Sequence, residues 1–144
     1  KGITKADALK HVWAYTIIND VTARDWQQRH KQWFLGKSFD TFCPMGPWIV
    51  TRDELKDDDI SVKCWVNDEL RQSSNSKDLI FDVPTLIETI SAGITLYPGD
   101  IIATGTPAGV GLGFKPPKFL VAGDTVRMEV GGVGVLENKL VNGA

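Results

Sequence analysis

The chain has 144 residues, 42% of them hydrophobic and 24% charged, with a net charge of −2. That composition supports a buried core and argues against disorder, and no apolar stretch reaches the roughly 20 residues that a transmembrane helix needs. Lys and Arg are scattered, so no nucleic-acid footprint is visible. Cys43 and Cys64 lack metal-type spacing and sit in apolar runs, which predicts buried free thiols, a reducing compartment and a cytoplasmic location (mitochondrial if the source is eukaryotic). Lys1-Gly2 opens onto a predicted helix with neither an initiator Met nor a signal pattern, so the chain is expected to be truncated or a fragment.

In chain order, Thr4 to Val12 has a capping Thr4, Asp7 three later and near-helical apolar spacing, predicting a short helix. Trp13 to Val21 reads as a buried strand. Thr22 to about His30 reads as a helix opening on a Thr22-x-x-Asp25 capping pattern. Lys31 to Ser38 is a loop or short strand, and Pro44, Gly46 and Pro47 interrupt structure before a strand at Trp48-Ile49-Val50. Ser61 to Val66 and Leu70 to Ser73 form a hairpin around Asn67-Asp68. Pro84 to about Ile94 is a helix with Leu86, Ile87 and Ile90 on one stripe. Ile101 to Thr104 is predicted as a short buried strand, followed by the Gly-rich loop Thr106 to Gly113. Thr125 to Val130 and Gly134 to Val141 form a final antiparallel pair. The five tryptophans, at 13, 26, 33, 48 and 65, sit in apolar runs and read as core. Without βαβ alternation, a single α+β domain of antiparallel or mixed strands with two or three short helices fits best.

Asp20 stands out because an apolar strand delivers it to the start of a helix. It reads either as a carboxylate favoured by the helix dipole or as an oxygen ligand for Mg²⁺ or Mn²⁺. Arg24 and Gln27, three apart, share a helical face beside it. Lys37, in Leu35-Gly36-Lys37-Ser38-Phe39, reads as a surface cation on pattern alone, although Gly36 suggests a close backbone approach. The Thr104-to-Gly111 loop offers backbone amides and the Thr106 hydroxyl to an anion, and is neither a Walker loop nor a dinucleotide fingerprint. His11 and His30 fall near predicted helix C-termini and read as solvated helix ends.

Four stretches together resemble the C-terminal domain of the fumarylacetoacetate hydrolase superfamily, closest to its domain-containing protein 2-like members. They are Ile18 to Gln27; Gly36 to Pro44; Val66-Asn67-Asp68-Glu69 with Gln72 and Asn75; and Tyr97 to Gly111. The resemblance implies a β-rich roll spanning 1–144, a homodimer, and a Mg²⁺ or Mn²⁺ site acting on a small 2-oxo or 1,3-diketo acid. It implies Asp20 as metal ligand, with two further Glu ligands, a Glu-x-Glu pair, expected upstream of Lys1. Lys37 and Gln27 are implied as catalytic groups, with Arg24, Gln27, Lys37, Gly105 and Thr106 binding substrate. Hydrolytic C–C cleavage through a metal-bound enolate is the leading expectation. Oxaloacetate tautomerisation or decarboxylation, or hydroxy-diene-dioate isomerisation, uses the same groups. The His-Glu pair of the hydrolytic members has no match here. A reading of another class is an inactive fragment serving as a dimerisation or binding module.

Overall fold

The computed structural model describes residues 1–29 and 31–142. A two-stranded ribbon and a four-stranded sheet, both antiparallel, carry two helices between and around them. The ribbon pairs β1 (Ala14–Ile18) with β2 (Met45–Thr51). The larger sheet has β3 (Ser61–Val66), β4 (Glu69–Asn75), β5 (Thr125–Val130) and β6 (Gly134–Lys139) in the order β4-β3-β5-β6. Helices α1 (Arg24–Arg29) and α2 (Val83–Gly93) complete the α+β architecture expected from sequence.

Period-2 alternation explains the sheet. In β5, Val126 and Met128 are buried, while Arg127 turns to the other face and stacks over Trp65 at 4.9 Å. Ile17 from the ribbon joins Val66, Val126, Met128 and Val133 in one core. Burying each such side chain stabilises by about 1.5–3 kcal/mol, so this contact is what seats β1, and the residues after it, on the sheet.

Several expectations fail. Thr4 to Val12 yields only a 3₁₀ turn over Ala8–His11. The segment is too short to nucleate an α-helix unaided: its amides close three-residue turns, Asp7 N to Thr4 O and Lys10 N to Asp7 O (both 3.0 Å), and Lys5 N ties it to Glu88 Oε1 of α2 (2.9 Å). Ile101 to Thr104 pairs with no strand among the described residues, and Ile101 is exposed. Gly46 and Pro47 lie inside β2, where Pro47, which has no N–H to donate, falls in the stretch between the Gly46 and Val50 pairings at which the register slips between Tyr15 and Ile17. Trp13, Trp33 and Trp48 are exposed rather than core, and Trp26 and Trp65 only half-buried. Cys43 is exposed and Cys64 half-buried, with burial pushing the Cys64 thiol pKa up. An apolar neighbour in sequence does not supply an apolar neighbour in space.

Candidate active site

The first cluster begins where β1 ends. Asn19 is buried, with its amide bonded to the Pro44 carbonyl (2.9 Å) and its carboxamide donating to Asn138 Oδ1 on β6 (3.1 Å). That anchorage turns the next side chain, Asp20, out toward solvent. Thr22 does not cap the helix that follows. Its hydroxyl donates to the Asp20 carbonyl (3.3 Å) and accepts from Lys37 Nζ (3.2 Å). Ala23 occupies the position before α1, and its amide bonds the Gly36 carbonyl (2.8 Å) where a capping box would use an acidic side chain.

Gly36 makes this possible. A Cβ there would lie 2.8 Å from both Ala23 O and Gln27 N and 2.9 Å from Gln27 Cβ, so the 3₁₀ turn Leu35–Lys37 docks on α1 backbone to backbone. The docking carries Lys37 Nζ to 2.5 Å from Asp20 Oδ2. Lys37 is therefore a half-buried partner of Asp20, not the free surface cation that its local pattern suggests. Arg24 and Gln27 meet as their three-residue spacing predicts: Arg24 Nη1 donates to the buried Gln27 Oε1 at 2.9 Å.

Thr106 and Gly105 belong to a second cluster. Gln72 on β4 donates through Nε2 to Thr106 Oγ1 (2.7 Å) and to the Pro107 carbonyl (2.8 Å). Gly109, at φ +112°, lies so close to β4 that a Cβ would stand 1.8 Å from Arg71 O. Further along, Arg71 Nη1 donates to Lys118 O (3.1 Å), and both Arg71 and Lys118 pair with Glu69 and stack on Phe114. The Lys118 ammonium, with Arg71 behind it, holds the Glu69 carboxyl below its ordinary range. Thr106 and Gly105 remain exposed at the tip.

Strand register relates the clusters. Gln72, Cys64, Met128 and Leu136 lie in one row across the sheet, and Val66, Val126 and Asn138 are in line with each other on the same face. Thus Gln72 at one edge and Asn138 at the other both rise from the core face. Three strand spacings, about 14 Å, separate those edges along the sheet. Among the described residues no hydrogen bond links Thr106 or Gly105 to Asp20, Lys37, Arg24 or Gln27. His11 is exposed and in neither cluster, and His30 lies outside the described residues.

Gln72, Asn19 and Asn138 are the supporting residues that residue-type reasoning misses. Gln72 and Asn138 lie on the inward row of polar or mixed strands and Asn19 just past the end of β1, so their partners are set by register across the sheet and not by local pattern.

Asp20 fits a hard divalent ion in ligand type, since Mg²⁺ and Mn²⁺ take carboxylate oxygens. Yet among the described residues no three His, Cys, Asp or Glu side chains gather as a metal cluster. These residues can supply one ligand and do not by themselves form the site.

A family model described as fumarylacetoacetate (FAA) hydrolase C-terminal matches residues 1–141. The chain is 55% identical over 139 residues to the oxaloacetate tautomerase YisK of Bacillus subtilis (strain 168), covering 96% of this chain and 46% of that relative. It superposes with TM-score 0.96 and 50% identity on a fumarylacetoacetate hydrolase from Exiguobacterium antarcticum, covering 99% of this chain and 52% of the other. The maleylpyruvate hydrolase of Sphingobium sp. SYK-6, in complex with manganese(II) and pyruvate, matches with TM-score 0.86 and 41% identity over 100% of this chain and 50% of that one. The chain thus spans about half the length of the relatives it matches.

Proposed function

This chain belongs to the fumarylacetoacetate hydrolase family, and from that premise we propose that it carries part of the active site of an oxaloacetate keto–enol tautomerase. The observation that carries this reading is the 55% identity to an oxaloacetate tautomerase, in a match that covers 96% of this chain. It favours tautomerisation over the hydrolytic C–C cleavage that the sequence made the leading expectation. Both reactions pass through an enolate, so the same side chains serve either.

Asp20 contributes one carboxylate to a Mg²⁺ or Mn²⁺ site whose other ligands come from outside these 144 residues. When bound, the ion draws electron density from the 2-oxo oxygen and lowers the free energy of the enolate. The manganese and pyruvate in one family structure support the type of ion and of ligand.

This chain's own residues do the rest. The Lys37 ammonium, fixed beside Asp20, places a cation where enolate charge develops. It also holds a proton: conversion of enol to keto moves one proton from the enol oxygen to C3, with nothing gained or lost. Arg24 occupies the Gln27 carboxamide oxygen, which leaves the Gln27 NH₂ to donate to a substrate oxygen. Thr106 and the amide of Gly105 receive a carboxylate from the opposite rim. The active form is a homodimer, a reading supported by exposed Trp48 and Ile49 on the ribbon and Trp13 just before it, apolar surface suited to a second copy. Sedimentation equilibrium at the monomer mass would end it.

The decisive assay follows the ultraviolet decay of enol-oxaloacetate by the complete gene product with Mg²⁺, beside acylpyruvate cleavage. Tautomerisation should be accelerated, and Asp20→Asn should remove both the acceleration and its metal dependence. Acylpyruvate cleavage that outpaces tautomerisation would return the protein to the hydrolases.

A further inference from the structure

We infer that Gln72 is a positioning residue that sets the direction of the Thr106 hydroxyl proton. The inference rests on the reading of Thr106 as a substrate-binding group and assigns a role one step behind it.

The argument turns on which end of the Gln72 carboxamide faces the loop. Its terminal nitrogen lies 2.8 Å from the Pro107 carbonyl and 2.7 Å from Thr106 Oγ1. A carbonyl oxygen can only accept. The opposite orientation of the amide would set two oxygens against each other, so the NH₂ group must face both partners. One N–H then goes to Pro107 and the other to Thr106. The Thr106 oxygen is thereby an acceptor toward β4, and its own proton has to leave in another direction. Because Thr106 is exposed, that direction is the open side of the loop, where a carboxylate or oxo oxygen accepts it.

The backbone removes the alternatives. Gly109 lies against Arg71 so closely that no side chain fits between them, which holds the loop at a fixed height over β4. Gln72 is on the inward row of the sheet, in line with Cys64 and Met128. A threonine on a free loop would share its proton among water orientations. Here Gln72 takes one of the three positions around the hydroxyl oxygen, so the proton has fewer directions open to it and less of that orientational freedom is lost on binding.

The test uses the complete gene product loaded with Mn²⁺ and titrated calorimetrically with oxalate. Thr106→Val and Gln72→Met should each weaken oxalate about tenfold, the scale of one net hydrogen bond. The double variant should be no weaker than either single one, since Gln72 acts only through the hydroxyl. Thr106→Ser should bind as the parent does, and Mn²⁺ affinity without oxalate should be unchanged throughout. Should Gln72→Met fail to fold, Gln72→Asn, too short to reach Thr106 and Pro107 together, should show the same loss. If Thr106→Val weakens oxalate while Gln72→Met does not, Gln72 has no positioning role and Thr106 keeps its own. If Thr106→Val is silent, the substrate reading of Thr106 falls and this inference with it. Losses that multiply in the double variant, or a matching loss of Mn²⁺ affinity, would reduce Gln72 to an independent or merely structural residue.

Discussion

At the end of β1 the chain is held by backbone meeting backbone. Gly36 touches Ala23 and Gln27 with no room for a Cβ, and the charged pair Lys37–Asp20 rides on that contact. At the β4 edge the approach is closer still, Gly109 against Arg71, but the group presented is neutral and is steered by a side-chain amide. A half-exposed ion pair contributes little to stability, so anchorage at the first rim falls to the glycine and Lys37 and Asp20 are left for the proposed chemistry. At the second rim, one carboxamide both anchors the loop and orients its hydroxyl.

Substitutions should separate the rims. Gly109→Ala is expected to be the most damaging, roughly 3 kcal/mol, because it combines a 1.8 Å backbone clash with a φ of +112°. Denaturant unfolding together with limited proteolysis between residues 104 and 118 would show it; a parent-like midpoint would mean that the loop is not seated on β4. Gly36→Ala should follow at about 2 kcal/mol, since its contacts at 2.8 Å can relax by small shifts of the 3₁₀ turn. Lys37→Met should change stability by less than about 1 kcal/mol, yet slow enol-oxaloacetate turnover by about a hundredfold. Equal losses of stability and turnover in that variant would erase the distinction between anchoring and chemistry at the first rim.

A control distant from both rims has the smallest effect. Asp82 caps α2, and the Thr85 hydroxyl and amide, followed by Lys5, hold its carboxyl down to about 2 from an ordinary 3.8. A depressed carboxyl stabilises the fold above its unfolded pKa, and that contribution is lost as pH falls through the folded value. Asp82→Asn keeps an N-cap acceptor and removes the titration. It should flatten part of the acid limb of a thermal melt taken as a function of pH, because the neutral melting temperature falls slightly while the acid-state value stays near that of the parent. A steeper acid limb would reverse the sign argued here.

The sequence by itself was legible wherever interactions are local. Alternation in β3, the Asn67-Asp68 turn and the Pro84 start of α2 are each set within a few residues. Asp20, Arg24 and Gln27 could be grouped from strand delivery and helical spacing, and Gly36 already pointed to a close backbone contact. What tertiary structure decided is non-local: that Lys37, seventeen residues on, closes against Asp20; that Thr22 serves Lys37 and leaves the helix uncapped by its side chain; and that Gln72 reaches across to Thr106. It also decided that three tryptophans stay exposed and that Ile101 to Thr104 forms no strand. Burial and pairing depend on which distant segment comes alongside, and the side-chain periodicity of one segment carries no information about its partner.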